Sequence, residues 1–310
     1  MAFIKEKKEV SILAIIIILL FIGGIWDQQI SQTLMNQNSY FATLFQNYGL
    51  IFAGIIIFMS TQIFIYFAMK SGLNTFAKIS IYILALIGGI YEVWQTVKYA
   101  LYYTVSSLNN INNDLPIGAA NNDGSGTLEI PDWYGSALIV LTIISVAIGL
   151  YFCNRWLKDK TLEELKGLVL VALGGIVAVF AANTIVDAMK DLWGRMRPYE
   201  LQDDWSQYTS WLQINGSNGH KSFPSGHSEQ GWLALYLPLF VQATNKEKRQ
   251  KVHLFACIFG CLMAYSRVRI GAHFLSDVTM GSTISIFVIY TISRLLNQRF
   301  DGTSLADVEH

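Results

Sequence analysis

VSILAIIIILLFIGGIW, residues 10–26, decides what kind of protein this is. The run carries no charge, and a helix needs about 20 mainly apolar residues to cross a hydrocarbon core about 30 Å thick. Lys5, Lys7 and Lys8 precede it in the manner of a secretory leader. A cleaved leader ends in small residues, whereas Asp27, Gln28 and Gln29 are polar and bulky, so an uncleaved anchor is expected.

Working outward, comparable runs recur at residues 49–69, 78–105, 136–156, 168–189, 228–243, 252–270 and 274–296. The expected fold is therefore all-α, a polytopic transmembrane helix bundle of about eight spans forming one integral-membrane domain over residues 1–310. Composition agrees: 53% of the 310 residues are hydrophobic and 14% charged, against about 25% charged in an ordinary soluble domain. The formal net charge is zero, so no global field exists to hold nucleic acid, and an anion site has to be built locally. No nucleic-acid partner and no obligate protein partner is implied. Cys153, Cys257 and Cys261 all fall in apolar stretches and read as small buried hydrophobes, not as a disulfide or metal site.

Lys and Arg accumulate in cytoplasmic loops, which makes the connections informative. Lys5, Lys7 and Lys8 are followed by a connection without Lys or Arg, then by Lys70 and Lys78. Residues 106–134 again have none but carry Asp114, Asp123, Glu129 and Asp132. Arg155, Lys158, Lys160 and Lys166, and later Lys246, Lys248, Arg249 and Lys251, return to the first side. Both termini are thus expected to be cytoplasmic. One loop breaks the rule. It lies between the fifth and sixth spans, on the outer side, yet Lys190, Arg195, Arg197 and Lys221 sit in it or at its edge.

Lesser features are read structurally. Glu92 and Lys98 are costly inside a span and are assigned separate partners in protein or water. Residues 30–48 place apolar side chains near helical spacing and are expected along the outer interface. The Asn- and Gly-rich stretch 109–126 reads as a flexible external loop without chemistry. Gly-Gly-Ile recurs at Gly23, Gly88 and Gly174 inside spans, as close helix packing would require.

Three blocks fall at span ends on the outer side. In Lys190-Asp-Leu-Trp-Gly-Arg-Met-Arg197-Pro198, seven residues of helix would carry both cations on one face about 10 Å apart, ending near Pro198. In Phe223-Pro224-Ser225-Gly226-His227, a Ser-Gly pair opens a helix and offers free amides and a positive dipole end to an anion. The same pattern is also an ordinary N-cap. In Ser266-Arg267-Val-Arg-Ile-Gly271-Ala-His273-Phe-Leu-Ser-Asp277, His273 and Asp277 are four apart on one helix face, and Gly271 supplies a break that brings Arg267 round to them.

Together the blocks resemble the signature of the type 2 phosphatidic acid phosphatase superfamily: Lys, six residues, Arg-Pro; Pro-Ser-Gly-His; Ser-Arg, five residues, His, three residues, Asp. The signature occupies residues 168–296, and residues 1–70 are additional N-terminal spans outside it. The resemblance implies a membrane-bound lipid phosphate phosphatase at the cell membrane, working on the extracytoplasmic side without metal or cofactor. By similarity His273 is the nucleophile that takes the phosphoryl group, Asp277 orients it, and His227 protonates the leaving oxygen and later activates water. Lys190, Arg197, Ser225, Gly226 and Arg267 hold the phosphate. Arg195, Arg269, Lys221 and His220 are extra to the signature and read as solvated loop residues. The loop 199–222, with Trp205, Tyr208 and Trp211, is expected at the outer interface as a cap over the site.

Two other outcomes stay open on sequence: transfer of phosphate to a lipid or sugar acceptor, and a non-catalytic lipid-phosphate sensor or transporter. The histidine pair and its acid argue for catalysis, because binding alone needs no nucleophile.

Overall fold

A computed structural model describes residues 2–120 and 128–298, and every regular element among them is helical. Ten α-helices follow in chain order: α1 Ala2–Leu34, α2 Tyr40–Tyr48, α3 Phe52–Lys70, α4 Thr75–Asn112, α5 Tyr134–Leu157, α6 Leu162–Trp193, α7 Gly226–Trp232, α8 Leu237–Phe240, α9 Lys246–Arg269 and α10 Leu275–Leu295. Seven stretches are long and apolar enough to cross a bilayer, α2 and α3 counting as one. Backbone groups in hydrocarbon must pair within their own helix, which is why the apolar runs all fold this way.

The remaining expected span, residues 228–243, is helical but broken into α7, a 3-10 turn Leu233–Tyr236 and α8. Its direction can be read from α9. Near the start of α9, Arg249 donates to the carbonyls of Pro238 and Val241. At its end, Arg267 lines the same cavity as Gly226. The broken segment therefore runs antiparallel to α9 along nearly all of its length.

Helix ends follow local chemistry. Thr161 and Glu164 form a reciprocal capping box at α6. Asn74 and Ser39 cap α4 and α2 through side-chain oxygens. The main core cluster joins side chains of α3, α5, α6, α9 and α10 with those of the broken segment, among them Ile56, Val179, Leu233, Tyr236 and Ile289. Close packing holds at two of the three Gly-Gly-Ile sites. A Cβ at Gly23 would lie 2.9 Å from the Ser276 Cβ, and one at Gly174 would lie 2.6 Å from the Tyr236 hydroxyl. Gly88 faces open space, and its neighbour Gly89 makes the contact there, against Thr61.

The helix α4 has 38 residues, about 57 Å at 1.5 Å per residue, well beyond a 30 Å core. Its last turns, with Asn110 and the 113–120 segment, fold back over the end of the bundle. Asn110 donates to the carbonyls of Ile117 and Ala119, and the Gly118 amide donates to Gln37. Residues 109–120 are thus structured wall and not a free loop; residues 121–127 lie outside the described residues. In the 30–48 stretch, α2 turns its small and polar residues Ala42, Thr43, Gln46 and Asn47 inward and leaves Phe41, Leu44 and Tyr48 exposed.

Candidate functional site

The helix α6 stops short of the expected point. It ends at Trp193, and Gly194 turns the chain with a left-handed φ of 50°, a conformation that only glycine adopts cheaply. Lys190 and Arg197 therefore do not share one helix face. Lys190 projects from the last turn of α6, whereas Arg197 stands on extended backbone beyond it. Both still face one cavity. Arg197 Nη1 donates to the Tyr199 hydroxyl at 3.0 Å, and Lys190 Nζ lies 3.2 Å from an Asp187 oxygen.

That cavity, about 360 Å³, collects Lys190, Arg197, Gly226, His227, Arg267 and His273. The pieces come from the ends of α6, α7, α9 and α10 and from the turns between them. Gly271, with φ 76°, reverses the chain after α9 and brings the Arg267 and His273 side chains to one wall. Ser225 is not part of the lining. It is fully buried, and its hydroxyl caps α7 by accepting from the Ser228 amide at 3.3 Å.

Asp277 also stands behind the wall. The helix begins after His273, at Leu275, so the two are not neighbours on a helix face. Asp277 accepts from the Phe274 amide at 2.9 Å as a helix-terminal cap, from the Ser222 hydroxyl at 2.5 Å and from Arg195 Nη1 at 2.5 Å. Its Oδ2 is 3.8 Å from His273 Nδ1, outside hydrogen-bond range. His273 Nδ1 lies instead 2.7 Å from the Ser222 carbonyl oxygen. A carbonyl only accepts, so Nδ1 carries the proton and Nε2 keeps its lone pair. Asp277 reaches His273 through Ser222, whose hydroxyl it holds, and through its field.

The electrostatics of the two histidines are similar. Burial disfavours the imidazolium of His273 and pushes its pKa down to about 4, with Arg197 and Arg267 adding to the effect against the pull of Asp277. Burial and the surrounding cations, Arg267 first among them, also hold His227 well below the usual histidine value. Both rings are neutral at pH 7. His227 packs edge-on against Tyr103, with ring centres 5.7 Å apart. Two buried polar atoms of the lining side chains have no hydrogen-bond partner in the protein, Nε2 of His227 and Nε of Arg267. Such atoms cost about 1 to 3 kcal/mol each when left unmade, and an oxyanion in the cavity is a natural partner for the guanidinium.

Sequence reasoning missed several contributors. Gln46 of α2 accepts from Arg267 Nη1 at 3.1 Å. Glu92, Tyr99, Tyr102 and Tyr103 of α4, with residues 118–120, line the same cavity. The aromatic loop 199–222 does not cap the cavity as expected; of its aromatics, Tyr199 alone lines it. Trp211 instead stacks on Phe223 behind the site and donates to the Leu20 carbonyl of α1. The expectation for Arg195 is corrected too, since it is 1% exposed and bonded to two carboxylates. Lys221 and His220 do sit at the surface, paired with Asp191 and Glu200. Arg269 donates to the Leu34 carbonyl at the end of α1. No motif marked Asp27 or Gln46, because their importance arises from contacts across more than 150 residues of chain.

Residues 168–301 match the family model of the PAP2 superfamily. Among curated proteins, the chain is 29% identical over 167 residues to phospholipid phosphatase 2 of Mus musculus, covering 46% of this chain and 60% of the relative. It is 31% identical over 171 residues to phospholipid phosphatase 2 of Bos taurus, covering 46% and 58%. It is 29% identical over 178 residues to lipid phosphate phosphatase 1 of Arabidopsis thaliana, covering 51% and 52%. The matches therefore span between half and 60% of those relatives' lengths. No solved structure matches the chain at a comparable level.

Proposed function

We propose that this chain, whose residues 168–301 match the family model of the PAP2 superfamily, is a member of that superfamily and an integral-membrane phosphatase that hydrolyses a lipid-linked phosphate or diphosphate through a phosphohistidine. One observation carries the reading: three basic side chains and two histidines meet in a single cavity, with Nδ1 of His273 held against the Ser222 carbonyl.

In the proposed reaction, Lys190, Arg197 and Arg267 take the phosphate oxygens, assisted by the Gly226 amide. A phosphate monoester carries about 1.5 to 2 negative charges at neutral pH, which these cations balance without a metal, so activity should survive chelator. His273 Nε2 attacks phosphorus; the nitrogen–phosphorus bond forms as the bond to the lipid oxygen breaks, and His227 gives that oxygen its proton. The arriving phosphate supplies the negative charge that lets the depressed His227 hold this proton. Water then attacks the phosphohistidine, His227 takes its proton, and inorganic phosphate leaves with His273 restored. Positioning and charge account for most of the rate in such chemistry.

A lipid is favoured over a soluble ester by a second, mainly apolar cavity of about 960 Å³ between α3, α4, α5 and α9, with Thr96 in the lining of both. Ile55, Phe58 and Phe152 line it as hydrocarbon tails would require. The distribution of Lys and Arg among the loops supports a topology with both termini in the cytoplasm and the catalytic cavity outside. The test is phosphate release from dispersed phosphatidic acid, undecaprenyl diphosphate, phosphatidylglycerol phosphate and a lipid A phosphate by detergent-purified protein. His273→Ala is expected to lose at least about 10⁴-fold in rate, as removal of a catalytic-triad member does. A parental rate in that variant ends the mechanism, and phosphate found on an added acceptor instead of in solution turns the hydrolase into a transferase.

A further inference from the structure

The first 70 residues lie outside the matched segment, yet α1 inserts a carboxylate into the support of the site. Asp27 is fully buried. It accepts from Arg195 Nη2 at 3.1 Å, from the Ser276 amide at 3.0 Å and from the Ser276 hydroxyl. Arg195 completes the link, donating through Nη1 to Asp277 at 2.5 Å and to Ser276 at 2.9 Å, and through Nε to the Thr209 carbonyl at 2.9 Å. Its guanidinium carbon sits 4.0 Å from the centre of the Phe274 ring. The side chains of Arg195, Asp27 and Asp277 have no exposed surface.

We infer that Asp27 is a positioning residue of the phosphoryl-transfer centre, sharing Arg195 with Asp277 so that the charge of Asp277 stays available to Ser222 and His273. The inference rests on the function proposed above. With both carboxylates ionised, one cation between them leaves a cluster with one net negative charge. Were Asp27 neutral, Arg195 would be balanced by Asp277 alone, and the field at His273 would largely cancel. Positive charge develops on the His273 ring as Nε2 bonds to phosphorus, and a buried negative cluster behind that ring stabilises it, little screened at low dielectric.

The geometry that brings Asp27 there is specific. Gly23, one turn earlier on α1, passes so close to the start of α10 that a Cβ would meet the Ser276 Cβ at 2.9 Å and an Asp27 oxygen at 3.1 Å. Trp211 ties the same helix from the other side through Leu20. A buried carboxylate in a span is expensive, and here its partners are a guanidinium and the first turn of the helix that bears Asp277.

The test is Asp27→Asn in the full-length detergent-purified protein, measured beside the parent and His273→Ala. With phosphatidic acid as substrate, kcat is expected to fall about 10- to 100-fold, the usual effect of a residue supporting a catalytic side chain. KM and inhibition by inorganic phosphate stay at parental values, because Asp27 touches no cavity wall. Asp27→Glu recovers part of the loss. If Asp27→Asn does not accumulate, Ser276→Ala removes the hydroxyl bridge between Asp27 and Arg195 and is expected to show the same loss in kcat alone. A parental kcat in whichever variant accumulates, or a loss carried by KM alone, overturns the inference. An inactive parent overturns the proposed function instead. A substrate-free reading then decides this point: NMR titration of His273, which faces Arg197, Arg267 and His227 with Asp277 behind it, moves to lower pH in Asp27→Asn, and an unmoved titration overturns the inference.

Discussion

The two ends of α9 each bury an arginine, and the protein treats them differently. Near the start of the helix, Arg249 donates to two backbone carbonyls and to Gln298. At the far end, Arg267 is 3% exposed, donates to Gln46 and keeps a buried Nε without a protein partner. Both arginines pay for desolvation. Arg249 recovers it inside the fold, where it ties the broken segment to its neighbour. Arg267 keeps unused donor capacity at the wall of a cavity that Arg197, Lys190, His227 and His273 also line. On the proposed function, what the protein leaves undone marks Arg267 as the binding cation and Arg249 as the structural one.

The comparison predicts opposite outcomes for the same substitution. Arg267→Gln should lower phosphate release about 10²- to 10³-fold, the scale of removing one donor to a transferring group, while thermal unfolding stays near that of the parent. Arg249→Gln should cost about 2 to 4 kcal/mol of stability, because its two carbonyls lose their donor, while the folded fraction keeps parental activity. Thermal unfolding and phosphate release of both proteins measure this, and a stability loss in the first or an activity loss in the second breaks the distinction.

A smaller effect sharpens it. His273 is pushed down to about 4 by burial, by Arg197 and by Arg267. Its ring is therefore neutral from pH 7 to about 5 and becomes cationic only as pH falls through its depressed value. Replacing Arg267 by glutamine removes one repelling charge, so the titration should move up toward 6.5. NMR of labelled histidine, assigned by the signal lost in His273→Gln, follows the change, and a downward or absent shift contradicts the electrostatic account.

Much of this was legible in order of residues, and the parts that were not share a cause. The apolar runs announced themselves because a bilayer imposes one solution on the backbone. The run 228–243 reads like the others yet folds in three short pieces. The blocks around Lys190, His227 and His273 stand out in the sequence, and the structure brings them to one cavity, but by a local geometry that their spacing does not encode. Gly194 ends α6 early, so Lys190 and Arg197 converge by a turn and not by helix periodicity. Asp277 caps a helix and holds Ser222 where a direct pairing with His273 was expected. Arg195, two residues from Arg197, gave no sign that it would be sealed with Asp27.

The sequence by itself determined the membrane-spanning helical class, the basic, histidine and carboxylate residues of the three blocks and the order in which the chain presents them. Those depend on hydropathy, charge and short-range spacing, which are local. Tertiary structure alone decided which cations face the cavity, that α2 and α4 complete its walls, and that Asp27 of the first helix joins Arg195, Ser276 and Asp277 behind it. Those depend on contacts between residues as far as 249 positions apart, and no local pattern encodes a distance between helices that meet only after packing.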